Sequence, residues 1–322
     1  MHRTVSLVRG IVLLMLDVSF ENLLHSVFHA LAYADVFDYP LTATEVYRYL
    51  PSTNTSHQEV VQALTDEALF SKRDDYYTLR GREGIVETRQ RRAEVSSQLW
   101  LKAARYGQII ASLPFIRMVA VTGSLAMNNV EEGKDIDFML VTAPDRLWTC
   151  RAFALFVVRL AKLEGVDLCP NYLITTNALA LEEHSLYVAH ELAQMIPLSG
   201  REFYDEMRRL NDWMADYLPN SLMVRELPKG VHSVQKPSWT QNVLEFLFRL
   251  PFLSWFENWE MNRKIKRLSR EQSSSIESFF SADVCKGHID RHGESVMTAL
   301  AARMEKATDS QTATEVATTN AL

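Results

Sequence analysis

Three things are scarce in this chain of 322 residues. Cysteine occurs only as Cys150, Cys169 and Cys285, far apart and without a C-x-x-C pair. That excludes a disulfide scaffold and suits a reducing compartment. No window reaches the roughly 18–20 uninterrupted apolar residues that a bilayer-spanning helix needs. No stable membrane insertion is therefore expected, and the default location is cytoplasmic. Positive charge is not in excess either: 34 Lys and Arg stand against 40 Asp and Glu, a net charge of −6. Any contact with nucleic acid would have to come from a local patch.

What is present begins with an ambiguous N-terminus. "MHRTVSLVRGIVLLMLDVSF" has a basic start and an apolar core, but the core is short, Asp17 interrupts it and no small-residue cleavage site follows. It reads as a leading strand or helix, or an over-extended start, rather than a secretion signal. A content of 47% hydrophobic residues over this length can build cores for two or three domains.

Leu24, Val27, Phe28, Leu31 and Tyr33 recur at helical spacing until Asp38-Tyr39-Pro40 ends the helix. Thr42 followed by Glu45 has capping-box spacing, "HQEVVQALTDEAL" reads as a third helix, and "FSKRDDYYTLRG" as a hairpin turning at Asp74-Asp75. Three short helices followed by a hairpin predict a winged-helix-like domain over 20–83. Its third helix carries Glu59, Asp66 and Glu67 and no Lys or Arg, whereas a recognition helix must neutralise phosphates. The case for DNA is weak, and a packing or partner-binding role is expected. Residues 84–112 predict a connecting helix with Arg89, Arg91 and Arg92 on a solvated face. Residues 201–304 read as a helical C-terminal region, and 305–322, Thr- and Ala-rich without apolar periodicity, as a disordered tail.

The chemistry concentrates in "VAVTGSLAMNNVEEGKDIDFMLVT", residues 119–142. An apolar strand ends in Gly123-Ser124, where the backbone can approach a ligand and a following helix would offer free N–H groups to a phosphate. The next strand opens with Asp135 and Asp137, which the period-2 alternation directs to one face. Two such carboxylates repel unless something offsets the cost, and Mg²⁺ bridging them to a substrate polyphosphate would do so. Lys134 reads as a solvated loop residue.

Gly123-Ser124, a ten-residue spacer and then Asp135-Ile136-Asp137-Phe138 resemble the signature of the nucleotidyltransferase superfamily with the DNA polymerase β-like fold. The signature covers about 24 residues. A looser similarity, from Phe37 to Leu218, points to an uncharacterised bacterial branch with an N-terminal winged-helix-like segment. The resemblance implies an α+β chain: a nucleotidyltransferase core over 113–200 with a small mixed β-sheet flanked by helices. It also implies Asp135 and Asp137 as catalytic metal ligands, Gly123 and Ser124 as triphosphate contacts, and a nucleoside triphosphate as substrate. The acceptor, whether protein, small molecule or nucleic acid, is open. Members of the superfamily usually carry a third carboxylate on a later strand, and the aligned position in "LCPNYLITT" is Asn171. An amide oxygen can still ligate a cation but brings no charge; Glu164, Asp167, Glu182 or Glu183 could substitute from nearby. A degenerate nucleotide-binding module, with the winged helix contacting DNA or protein, is the alternative, and an antitoxin-like partner a third.

Two further signals read as structural. Cys285, His288, Asp290 and His292 lie close together, but without a fourth ligand or second cluster they suit a polar turn better than a transition-metal site. The run from Phe246 to Arg270, aromatic and then basic, reads as a core helix whose basic end complements its dipole, with a membrane surface or a nucleic acid strand as the rival uses.

Overall fold

The structure, a computed structural model, describes residues 20–233, 239–248, 251–271, 279–287 and 292–319. The chain is α+β and divides into two compact units. The first ends at Gln90 and takes back Met214–Met223 and the chain from Glu294 onward; the second comprises Arg91–Trp213 and Val224–Gly293. Among the described residues no helix is long and apolar enough to cross a membrane.

In the first unit, helix α1 (20–35) leads to β1 (Leu41–Thr42), α2 (Ala43–Arg48), α3 (His57–Ala63) and the hairpin β2 (Phe70–Arg73) and β3 (Tyr76–Leu79). The strands form an antiparallel sheet of order β1-β3-β2. Asp74 supplies the left-handed turn at φ 54°, a conformation that a short polar side chain tolerates. Both α2 and α3 start with a capping box, Thr42 with Glu45 and Ser56 with Glu59. Three hydrogen bonds from Thr55 and Ser56 hold the Glu59 carboxyl down at about 2.

Helix α4 (Ile85–Ala111) begins in this unit, and its basic cluster is not the solvated face that the sequence predicts. Arg91 is exposed, but the side chains of Arg89 and Arg92 keep only 13% and 11% of their surface. Arg89 makes two hydrogen bonds to the Glu45 carboxylate, at 2.7 and 2.8 Å, and lies over the rings of Tyr39 and Tyr76. The helix turns Arg89 inward because Glu45, fixed by its own capping box, needs a cation there.

Helix α12 (His292–Thr319) runs through the stretch whose composition suggests a structureless tail. Its six alanines favour a helix even where no apolar stripe directs packing. Its Arg303 shares the buried carboxylate of Asp35 with Arg82.

The second unit holds a six-stranded sheet of order β7-β4-β5-β6-β9-β8. Its strands are β4 (Ile116–Val121), β5 (Ile136–Thr142), β6 (Leu168–Thr175), β7 (Ile196–Ser199), β8 (Phe279–Phe280) and β9 (Val284–Lys286). β5 pairs parallel with β6 and antiparallel with β4, so β5 and β6 need a crossover, which α6 (Leu147–Leu163) provides. Val119, Val121, Phe138 and Leu140 on one face and Ala120 and Met139 on the other are all buried, as the near-continuous apolar runs of a sheet covered on both faces require. α7 (Leu186–Gln194) stops before Met195, and β7 carries Pro197 on a strand paired with β4 alone among the described residues, where proline is tolerated.

Helices α10 (Trp239–Leu247) and α11 (Pro251–Glu271) meet the core expectation for the aromatic run only in part, Phe248, Met261 and Ile265 packing against the core. Trp239, Phe246, Trp255 and Trp259 are exposed, while Glu245, Glu257 and Glu260 are buried. Glu257 accepts from the backbone N–H groups of Trp148 and Thr149 at 2.8 and 2.7 Å. It thereby caps α6, which has no side-chain cap of its own. Glu245 likewise accepts from the Phe115 N–H and from the Arg117 guanidinium.

The Glu45–Arg89 pair makes a measurable demand. Removing one partner strands a buried charge, so Glu45→Ala should lower the urea-derived stability by roughly 3–5 kcal/mol. Arg91→Ala, on the exposed side, should stay within about 0.5 kcal/mol of wild type.

Candidate functional site

The ladder between β4 and β5 decides what meets at its end. Val121 lies opposite Phe138, and Thr122 N–H continues the pairing to the Asp137 carbonyl at 3.1 Å. Gly123 follows with φ 62°, and a Cβ built there would lie 2.5 Å from Asp137 Oδ2. Only glycine suits both that backbone angle and that proximity. Asp135, immediately before β5, and Asp137 within it share one side of the sheet, as alternation predicts.

From the other side, parallel pairing sets Cys169 of β6 opposite Asp137. The register then slips: Pro170 pairs with Phe138, but Tyr172 pairs with Met139, leaving Asn171 as an extra residue in the manner of a β-bulge. The bulged Asn171 donates its side-chain Nδ2 to Asp137 Oδ1 at 2.8 Å, and its carbonyl accepts from Gly287 N–H at 3.0 Å. One oxygen of Asp137 is thus tied to Asn171 and the other faces Gly123. Ligand atoms of Asp135, Asp137 and Cys169 all lie within 4.8 Å of one another, a grouping that could hold a metal ion.

The electrostatics follow from this crowding. Burial, the neighbouring Asp135 charge and Glu191 of α7 push the Asp137 carboxyl up to about 7, against a lowering hydrogen bond from Cys169. Burial and then the two aspartates push the Cys169 thiol up to about 12, so it stays protonated and donates to them. Burial also raises Glu191 to about 7, opposed by Lys286. A divalent cation fits this donor set, because it would offset the repulsion between two carboxylates already drawn together. The thiol is a softer donor than Mg²⁺ prefers.

The structure therefore brings Gly123, Asp135, Asp137 and Asn171 together. Ser124 is half-buried, and its hydroxyl makes no hydrogen bond among the described residues. It belongs to α5 (Gly123–Ala126), a helix of only four residues, too short to sum a substantial dipole. Asn171 differs in detail from the expected amide-oxygen ligand, since its NH₂ faces Asp137 and it steadies a carboxylate. Three of the four carboxylates considered as replacements are engaged elsewhere, Asp167 with Lys162, Glu164 with Arg105 and Tyr106, and Glu183 with Lys286, and the fourth, Glu182, is exposed. Cys169 and Glu191 join the site without having been read from the sequence. Cys169 could have been found from its two-residue offset from Asn171, and Glu191 as a lone acid in the apolar run "LYVAHELAQ".

The stretch between α5 and β5 is held rather than loose. Asn128 accepts from Trp100 Nε1 at 2.7 Å, Val130 is buried with its N–H on Ser96, and Glu131 pairs with Arg92. Lys134 is exposed, as expected. Of the Cys/His cluster, Cys285 is buried in β9 and His292 meets the Tyr187 ring edge-on at 6.0 Å; His288 and Asp290 lie outside the described residues. Comparison of the chain with protein-family models, with curated proteins and with solved structures found no match.

A pH dependence follows from the two raised carboxyls. Each binds its proton more tightly folded than unfolded. The stability they contribute is full below about pH 4, the ordinary carboxyl range, and is lost as pH rises through about 7. In buffer with chelator, Asp137→Asn should flatten that decline and raise the urea midpoint at about pH 8 above wild type. A decline as steep as that of wild type would show that Asp137 is not its source.

Proposed function

We propose that the chain is a nucleotidyltransferase that passes a nucleoside monophosphate from an Mg²⁺-bound nucleoside triphosphate to an acceptor. The convergence of Asp135 and Asp137 against Gly123 carries this reading. The missing side chain at Gly123 lets the Asp137 carboxylate sit against the backbone, and the Ser124 hydroxyl next to it is available to donate to a phosphate oxygen. Asp135 and Asp137 would hold the metal, with Asn171 fixing the rotamer of Asp137. Bound Mg²⁺ would neutralise the triphosphate and lower the pKa of an acceptor hydroxyl. The acceptor hydroxyl would give its proton to solvent and its oxygen would attack the α-phosphorus in line, so that a new P–O bond forms, the bond from the α-phosphorus to the bridging oxygen breaks, and pyrophosphate departs with that oxygen. Placing charges in advance of the reaction, rather than forming a covalent intermediate, would supply most of the rate.

The order of α2, α3 and the β2–β3 hairpin supports a winged-helix-like reading of the first unit. Glu59, bound into the α3 capping box, and the absence of Lys and Arg from α3 favour a protein-facing or packing role over DNA. A second reading, a nucleotide-binding module without turnover, draws support from Asn171 and the uncharged Cys169 thiol, which leave two carboxylates where the resemblance implies three.

Incubation with each labelled nucleoside triphosphate, Mg²⁺ and cell extract tests both. Wild type should transfer label and release pyrophosphate, and Asp135→Ala/Asp137→Ala should lose at least about 100-fold, as expected when metal ligands are removed. Binding of Mg²⁺-nucleotide without pyrophosphate release over hours selects the second reading. Equal transfer by the double variant removes the first.

A further inference from the structure

Helices α10 and α11 of the second unit present apolar side chains outward, and hydrogen bonds hold them in that orientation. Gln241 donates Nε2 to the carbonyls of Leu113 and Ile116, Glu245 binds the Phe115 N–H and Arg117, and Glu257 caps α6. Rolling either helix to bury its apolar side would strip the N–H groups of Phe115, Trp148 and Thr149 of their acceptors, at the full cost of leaving them unpaired.

The outward face continues from helix to helix. On α10, Trp239, Val243, Leu244, Phe246 and Leu247 are exposed. Leu244 lies one turn before Phe248, whose ring meets that of Phe153 on α6 with centroids 5.8 Å apart. From Phe153 a stripe at three- and four-residue spacing runs along α6 through Phe156, Leu160 and Leu163, all three exposed. On α11, which packs on α6, Trp255 and Trp259 are exposed one turn apart. Leu163, Trp239 and Phe246 keep 84, 75 and 74% of their surface, and a monomer in water rarely leaves so many large apolar side chains together.

The charge on this face is of one sign. Glu245, Glu257 and Glu260 are buried, and every exposed charged side chain of α6, α10 and α11 among the described residues is basic: Arg159, Lys162, Arg263 and Lys266. Lys162 is held by Asp167 and Arg263 by Glu260. Arg159 and Lys266 have no carboxylate partner among the described residues. Lys266 lies two turns beyond Trp259, on the same side of α11. In a chain of net charge −6, this excess is local.

We propose that α6, α10 and α11 form a peripheral docking surface for an anionic lipid bilayer. The indoles and phenyl rings enter the boundary between headgroups and acyl chains, where aromatic side chains concentrate, while Arg159 and Lys266 meet the acidic headgroups. Among the described residues no helix can span a bilayer, so the contact stays at the surface. A second copy of the chain fits less well, because a two-fold contact sets the patch against itself and brings Arg159 and Lys266 to a surface of their own sign. A nucleic acid strand also fits less well: Leu160, Leu163, Leu244 and Leu247 offer no stacking face, and Trp255 and Trp259 are stacked on each other rather than splayed for a base.

Co-sedimentation of the full chain with vesicles tests the surface. Phosphatidylcholine vesicles with about one-third phosphatidylserine should carry down at least about fivefold more protein than pure phosphatidylcholine, and raising salt from about 0.1 to 0.5 M should release most of it. Lipids brominated in the acyl chain should quench tryptophan fluorescence, and Trp255→Ser/Trp259→Ser should remove about half of that quenching or more. Arg159→Glu/Lys266→Glu should lower binding about fivefold or more without moving the thermal midpoint. Equal sedimentation with neutral and anionic vesicles overturns the proposal, as does binding indifferent to both variants. A dimer that the tryptophan substitutions disperse in the absence of lipid overturns it too, and so does tighter binding to a single-stranded oligonucleotide than to anionic vesicles.

Discussion

Everything at the aspartate site depends on there being no side chain at position 123. Gly123 and Asp137 compete for the same space, 2.5 Å separating a notional Cβ from the carboxylate oxygen, and the fold resolves the competition in favour of the carboxylate. With Asp137 in that space, its other oxygen accepts from the extra residue Asn171 of β6. Cys169 then lies opposite Asp137 in the parallel ladder. A single backbone permission thus seats Asp137, and Asn171 and Cys169 meet it from β6. The middle of α4 supports it, Trp100, Ser96 and Arg92 fixing Asn128, Val130 and Glu131 in the segment that delivers Asp135.

Much of this was legible because it is local. The near-continuous apolar runs marked β4 and β5, Thr42 with Glu45 marked the start of α2, and the sharing of one side by Asp135 and Asp137 follows from the pleat alone. What was not legible involves long sequence separations. Arg89 and Arg92 look like surface residues of a polar helix until Glu45 and Glu131 are known to face them. Asn171 was read by alignment as a ligand position; its actual orientation results from a register slip that no alternation pattern contains. Cys169 and Glu191 were missed because a single thiol at a strand start and a single acid in an apolar helix carry no periodic signal. Met195 and Ile196 continue the helical apolar pattern of α7, and only Pro197 marks the change to β7.

The second unit also distributes its charged and aromatic residues against the usual order. Glu245 and Glu257 are buried because each satisfies backbone N–H groups that nothing nearer in sequence can reach. The tryptophans of the same helices lie outside, Trp255 and Trp259 stacked on each other with ring centroids 6.1 Å apart. Acid inside and aromatic outside is stable here because hydrogen bonding compensates a buried carboxylate, whereas an exposed indole loses only the gain of burial.

The cap on α6 also constrains the order in which the chain can mature on the ribosome. Trp148 must wait for Glu257, 109 residues later, and β6 for β9, whose Asp283 neighbour bonds Thr175 across 108 residues. At about 5–20 residues per second, translation leaves α6 uncapped for roughly 5–20 s. During that interval one edge of β6 is unpaired, so the nascent sheet resembles an open template and the last third of the polypeptide serves as its closure.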